Sequence, residues 1–394
     1  MDEVKFYVGL DVHKDSIAIA FARAHARDDP QFVGTTRYSM ISLTKALSKL
    51  GKPSELSVCH EAGPCGYGLV RALREQGYRC DVIAPSRVAR RPADRIKTDR
   101  RDALLLARLH RAGELVPVAI PEPPDEAIRD LVRAREDAVN DQRRVRQRLK
   151  SFLLRHGHAY TGTRWGPKHE LFLSKIKFEN SAQHIVFTEY RLAVRFATEL
   201  VERLTQSLRT HAETWRWLPM VKGLMTLRSI DFVSALTIVA ELGDLRRFPH
   251  PREFMSYLGL VPSEHSSGNS KQRGRLTKTG NTHVRRILVE AAWNYRLPAR
   301  IGESLQPRLE GQPRQIIDST SHGRRSFGSA TDSVAFGHEA YIRTKRVRRS
   351  LVNYADSSGT SERDCSQPER FRNFIHAISF KELLSQDLYL PPDR

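Results

Sequence analysis

Near its start the chain sets short apolar runs against acidic stops. KFYVGLD is apolar up to Asp11, and after VHKD the pattern resumes as SIAIAFA, so residues 5–11 and 15–23 read as two strands joined by a tight turn. A helix follows around ISLTKALSKLG. LSVCHE then reads as a third strand, GYGLVRALREQGY as a helix closed by Gly77, and RCDVIAP as a fourth strand stopped by Pro85. Strands alternating with helices predict an α/β domain with a partly parallel sheet, whose acidic residues collect at one edge. PVAIPEPPDEA, with four prolines, marks a boundary near residues 116–124.

Beyond that boundary the period lengthens. Ile128, Leu131, Val132, Ala138, Val139, Val145, Leu149, Phe152 and Leu153 keep close to a heptad rhythm, interrupted at Arg135 and Gln142. Phe187, Tyr190, Val194, Ala197, Val201, Leu204 and Leu208 alternate steps of three and four. Two long amphipathic helices are predicted, forming a coiled-coil hairpin that either closes within one chain or dimerises. Residues 224–247 read as two helices with SIDFVS at their turn, a segment suited to packing because it lacks the turn glycines that favour phosphate contacts.

Charge changes the picture. The chain has 394 residues and a formal net charge of +20, unevenly spread: residues 85–111 hold nine Lys/Arg against three acids, and residues 268–300 eight against one. A length of this order implies more than one domain, and such basic blocks suit a polyanion held by its phosphates. The first long helix carries nine further Lys/Arg between 129 and 155, a face that is either solvated or follows a nucleic-acid backbone. The four cysteines, at 59, 65, 80 and 365, form no CxxC pair, which argues against a disulfide framework or a zinc ribbon. No run of eighteen apolar residues occurs, so a soluble, cytoplasmic protein is expected.

Against this basic background Asp11, Glu61, Asp99 and Asp102 stand out, each where a strand ends or a helix begins. Taken singly, each is equally a turn or cap residue, and Thr98 offers itself as the cap of the helix that holds Asp99 and Asp102. Together they fit a site for two divalent cations about 4 Å apart, which needs carboxylates converging from several elements. A second candidate is SEHSSGNSKQRGRLTKTGN, a Ser-, Gly- and Arg-rich loop leading into a helix near Asn281. It reads either as a flexible polar loop or as a phosphate site at a helix N-terminus, where a serine could attack a phosphodiester.

Four segments, GLDVHK at 9–14, CHEAGPCG at 59–66, KTDRRDALLLARL at 97–109 and YLGLVPSEHSSGNSKQRGRLTKTGNTHVRRILVEAAW at 257–293, closely resemble the DEDD-type insertion-sequence transposases. The resemblance covers about residues 4–310. It implies an α/β RuvC-like (ribonuclease H-like) N-terminal domain at 1–118, a coiled-coil region at 119–215 and a mainly α serine-bearing domain at 216–317. By this similarity Asp11, Glu61, Asp99 and Asp102 form the metal-binding tetrad, holding two Mg2+ ions or alternatively Mn2+. Ser267, or failing it Ser266, is the nucleophile, and Lys271, Arg273, Arg275, Lys278, Arg285 and Arg286 hold nucleic acid. The resemblance also implies DNA recombination guided by a structured noncoding RNA, in a homo-oligomer (dimer or tetramer) whose tetrad and serine come from different subunits. Alternatives are a Holliday-junction resolvase-like endonuclease and a noncatalytic nucleic-acid-binding protein. Residues 318–365 depart from the family's amphipathic pattern, and a disordered or frame-altered tail is expected over 318–394.

Overall fold

The computed structural model describes residues 3–85, 88, 98–268, 270, 272–294, 303 and 305–310. Lys271 and the expected tail at 318–394 lie outside the described residues. The chain divides into two compact units, Met1–Pro121 and Glu122–Arg394.

The first unit is built on five strands: β1 (Phe6–Val12), β2 (Ser16–Arg23), β3 (Gln31–Arg37), β4 (Leu56–Glu61) and β5 (Arg79–Ile83). Their order is β3-β2-β1-β4-β5, with β1, β2 and β3 antiparallel and β1, β4 and β5 parallel. This is the mixed sheet of a ribonuclease H-like domain. The strand at β3 has no counterpart in the sequence reading. QFVGTTR lies at the sheet edge with every side chain at least partly exposed, so it lacks the apolar run that marks an inner strand.

Alternation along the inner strands sends two sets of side chains to opposite faces. Val8, Leu10, Ile17, Ile19, Leu56 and Val58 join one core with Leu43 and Leu47 of α1 (Met40–Ser48) and Leu69, Val70 and Leu73 of α2 (Gly68–Glu75). The opposite face carries small residues. Ala18, Ala20 and Ala22 of β2 meet Ala103 and Ala107 of α3 (Asp99–Arg111), while Cys59 and Ile83 meet Leu106 and Leu109. Gly9 sits under the same helix. A Cβ there would lie 2.5 Å from both the Ala103 carbonyl oxygen and the Ala107 nitrogen. The helix therefore rests on the sheet backbone.

In the second unit α4 (Pro123–Arg155) and α6 (Ser181–Glu213) pack along each other, with α5 (Pro167–Ser174) in their connection. The hairpin closes within one chain. Arg135 and Gln142, the breaks in the apolar rhythm, find partners across it: Arg135 Nε donates to Thr205 Oγ1 at 2.7 Å, and Gln142 Nε2 to Thr198 Oγ1 at 3.0 Å. At the base of α4 the buried Asp125 carboxylate accepts from Trp215 Nε1 at 2.8 Å, Trp217 Nε1 at 3.3 Å and the Arg216 guanidinium.

A helical core follows, made by α7 (Leu218–Met225), α8 (Phe232–Leu242), α9 (Pro251–Tyr257) and α10 (Thr282–Asn294), and a short α11 (Gln306–Leu309) comes after it in the chain. The SIDFVS turn packs, as its composition predicts. Ile230 is fully buried, and Asp231 caps α8 by accepting from the Ser234 N–H at 2.8 Å. Ser229 there takes a left-handed φ of 69° that is more usual for glycine. Between α9 and α10 the chain forms a two-stranded antiparallel ribbon, β6 (Pro262–Glu264) and β7 (Arg273–Leu276).

The seating of α3 gives a direct test. Gly9→Ala should destabilise the chain by about 1–3 kcal/mol, because the added methyl has only helix backbone to displace. Urea unfolding checks this, and Gly63→Ala, whose Cβ would meet open space, should change little.

Candidate functional site

The α3 face of the sheet decides where the carboxylates go. Asp11 follows Gly9 by two residues on β1, and Glu61 follows Cys59 by two on β4, so both point to the side on which α3 lies. Leu10 and His60 are paired in the parallel register, which leaves Asp11 and Glu61 one residue beyond them at adjacent strand ends. The helix brings its own acids. Thr98 is its N-cap, accepting from the Arg101 N–H at 3.3 Å, and Asp99 and Asp102 occupy its first turn. The cap reading of Thr98 and the cluster reading of the acids hold together.

The tightest grouping is Asp11, His13 and Asp99, each offering one ligand atom within 4.8 Å of the others. His13 Nε2 is 3.2 Å from Asp11 Oδ2 and 3.4 Å from Asp99 Oδ1. Burial raises the Asp11 pKa above its ordinary value. His13 opposes that shift, and the charges of Asp102 and Asp99 add to it. A cation among these groups would remove the repulsion, and two carboxylates with one imidazole are donors that a divalent ion accepts. Glu61, at the end of the neighbouring strand, and Asp102, in the first turn of α3, stand outside this tightest group. Sequence reasoning passed over His13 because a lone histidine in a turn carries no periodic signal. Its i, i+2 relation to Asp11 at a strand end was the available clue.

The serine segment is a ribbon with a tight tip. Ser267 and Ser270 exchange two backbone hydrogen bonds of 3.1 Å, and Gly268 between them has a left-handed φ of 56°. Ser267 is exposed at that tip. Ser266 Oγ donates to Glu264 Oε1 at 2.7 Å, so a carboxylate is available locally, to Ser266. Arg273 and Arg275 are exposed on β7, and Lys278 follows it with a left-handed φ of 54°. Arg285 and Arg286 are engaged within the protein. Arg285 Nη1 donates to the carbonyls of Leu258 at 2.9 Å and Thr279 at 3.0 Å, while Arg286 pairs with Glu136 at 3.0 Å.

A buried carboxylate anchors this region. Glu241 at the end of α8 accepts two hydrogen bonds from Arg133, at 2.7 and 2.9 Å, and one from Asn281 Nδ2 at 2.6 Å. Asn281 caps α10 in turn, its Oδ1 accepting from the Val284 N–H at 3.0 Å. Burial alone would raise the Glu241 pKa, but the Arg133 and Asn281 contacts outweigh it and hold the carboxyl below its ordinary value. His283 joins the same helix to α4 through Glu136 at 2.6 Å.

Comparison with known proteins gives the family of the chain. A model for the DEDD transposases of the IS110 group, described as "Transposase", matches residues 8–157, and one described as "Transposase IS116/IS110/IS902 family" matches residues 221–301. The Sinorhizobium fredii protein y4qE, which carries a transposase name, is 42% identical over 306 residues, 77% of this chain and 75% of its own length. The transposase for insertion sequence element IS1533 of Leptospira borgpetersenii is 31% identical over 321 residues, 79% of this chain and 92% of its own. This chain belongs to the IS110 family of transposases. It is a DEDD transposase, a DNA strand-transfer enzyme, and membership implies a divalent metal and binding to DNA. Among the described residues no helix is long and apolar enough to cross a membrane.

The Glu241 contacts fix a pH dependence. A carboxyl whose pKa is lowered by folding stabilises above its unfolded value and loses that contribution as pH falls through the folded one. Thermal stability should therefore decline from the ordinary glutamate value of 4.5 downward. Glu241→Gln should cost about 1–3 kcal/mol at neutral pH and flatten the decline, as melting curves across pH 3–7 (roughly the carboxylate window and above it) would register.

Proposed function

We propose that this IS110-family transposase cleaves and rejoins the DNA of its insertion sequence with Asp11, Glu61, Asp99 and Asp102 as a metal-binding tetrad and Ser267 as nucleophile. The observation that carries this reading is the convergence of Asp11, His13 and Asp99 ligand atoms within 4.8 Å, where β1 ends and the first turn of α3 supplies Asp99 and Asp102. In this reading Ser267 Oγ attacks a phosphodiester phosphorus and gives up its proton, and a deoxyribose oxygen leaves as a hydroxyl. The resulting phosphoserine ester keeps the bond energy until a hydroxyl of another strand displaces the serine, so no nucleotide cofactor is consumed. Two divalent ions, magnesium with manganese as the alternative, supply neutralisation of the charge that gathers on the phosphate oxygens.

The exposed ribbon tip supports the choice of Ser267, since Ser266 Oγ is already held by Glu264. Arg273, Arg275, Lys278 and Lys271 would hold the DNA backbone near that tip. Arg285 and Arg286 would act by bracing α10, given their partners within the protein. A structured noncoding RNA supplies sequence choice, in keeping with a strongly basic chain whose composition carries no zinc ribbon. The active form is a cytoplasmic homo-oligomer, a dimer or tetramer.

Incubating the purified chain with junction DNA, the flanking noncoding RNA and magnesium should yield a denaturation-resistant protein–DNA adduct. Ser267→Ala should abolish it and Ser266→Ala should retain it. Cleavage that survives Ser267→Ala without any adduct would favour a hydrolytic resolvase and sink the serine mechanism.

Asp11→Ala should lower strand transfer at least about 100-fold, and His13→Ala should weaken divalent-ion binding about 10–100-fold. Calorimetric manganese titration of each variant tests both residues as cation donors. Unchanged binding in both would remove the metal site from this end of the sheet.

A further inference from the structure

The α4–α6 hairpin carries a feature that the strand-transfer chemistry does not use. Between the two helices lies an open cleft of about 430 Å³, lined by Arg144, Arg148 and Arg155 along α4 and floored by Phe152 and Tyr190. Arg144 and Arg148 are one helical turn apart, about 6 Å along the axis, and Arg155 lies about two turns further on. That spacing is of the order of successive phosphates on a single strand. Arg148 is exposed and makes no ion pair among the described residues. Arg144 gives one N–H to Asp141 at 2.7 Å and keeps the rest of its fork.

The floor is aromatic. Phe152 is buried, with its ring edge-to-face against Tyr190 at 5.7 Å and tilted on Phe178 at 5.2 Å. Arg155 lies over the Phe152 ring at 5.9 Å. Gln147 and Ser151 form a polar row beside the arginines, within the same cleft. Phe152 belongs to the core of the hairpin, and Tyr190, packed against that core, is the partly exposed ring that faces the arginines in the cleft.

From this cleft we infer that the hairpin binds an unpaired stretch of nucleic acid, with phosphates on Arg144, Arg148 and Arg155 and one base stacked on the half-buried Tyr190 ring. A guanidinium row combined with an aromatic platform is the chemistry that holds single strands without regard to sequence. A duplex offers the same phosphates but keeps its bases stacked inside, away from the floor. The ligand is a single strand of either RNA or DNA, which differ in the ribose hydroxyl and in the thymine methyl.

The test uses the full chain and labelled single-stranded oligouridine and oligothymidine, with a mixed-sequence duplex of equal length beside them. Anisotropy titrations over a salt series should give Arg144→Glu/Arg148→Glu an affinity at least about tenfold weaker and a salt slope shallower by about 1.4, two phosphate contacts on a single strand. Arg195→Glu/Arg203→Glu on α6 makes the same change in net charge outside the cleft and should cost clearly less. Tyr190→Leu, which keeps apolar bulk and removes the ring, should weaken single-strand binding about 5–100-fold and leave duplex binding unchanged. Photocrosslinks from thio-substituted single strands should map to the peptides holding Phe152 or Tyr190. Tighter binding of oligouridine would assign the cleft to RNA, and tighter binding of oligothymidine to DNA. Equal losses in the two double variants, crosslinks confined to other peptides, or duplex crosslinking to the floor as strongly as single strands would each overturn the inference.

Discussion

The close seating of α3 on β1 is the contact on which the first unit depends. A helix normally stands off a sheet by the depth of two side-chain layers, and here Gly9 and the five alanines of β2 and α3 reduce that separation to near backbone contact. Because the helix axis is close, its first turn also arrives close to the strand ends. Side chains as short as aspartate then bridge the remaining distance, as the 3.4 Å approach of Asp99 to His13 illustrates. Larger residues at these positions would lift the helix and separate the acids while leaving the sheet itself intact. Packing and candidate chemistry are thus one constraint in this unit, expressed in glycine and alanine.

Much of this was legible from the chain, for reasons that differ by element. β1, β2, β4 and β5 announce themselves because both of their faces are covered, which demands nearly continuous apolar sequence. β3 stayed hidden because none of its residues is buried, whereas β5, at the opposite edge, buries Cys80, Val82 and Ile83. Asp11, Glu61, Asp99 and Asp102 were visible as acids that end or begin elements in a basic chain. Their collection at one sheet edge was expected from the alternation of strands and helices; the close seating of α3 that brings Asp99 to Asp11 was not, since it follows from Gly9 and from alanines that read as unremarkable helix formers. The serine loop shows the reverse error of reading composition as structure: Ser, Gly and Arg suggested a flexible loop, yet register and a glycine turn fold it into a ribbon. The arginines at 285 and 286 looked like free cations in sequence because two of their acceptors are backbone carbonyls, of Leu258 and Thr279, which no side-chain pattern marks, and the third, Glu136, lies far away in the chain.

The polar interruptions of the long helices teach a related lesson. Arg135 and Gln142 are seven residues apart on α4, and their acceptors Thr205 and Thr198 are seven apart in the opposite direction on α6. An antiparallel pairing slipped by one turn would take both half-buried donors away from their threonine acceptors, at the cost of two hydrogen bonds. Residues that weaken the heptad pattern therefore define its register, as polar seam residues do in coiled coils. The positions that made the pattern look imperfect are the ones that make the hairpin unique.

The same logic of paired charge runs through the second unit and separates its acids by role. Glu241 and Asp125 are buried, and each is saturated by cationic or N–H donors of its own unit, so neither asks for a cation from solution. Asp11 differs: half-covered, with two further acids raising the cost of its charge and one histidine partly offsetting it. Among the described residues the imidazole of His13 reaches both Asp11 and Asp99, at 3.2 and 3.4 Å, and two carboxylates with one imidazole form a donor set that a divalent ion accepts, whereas the donors around Glu241 and Asp125 already come from their own unit.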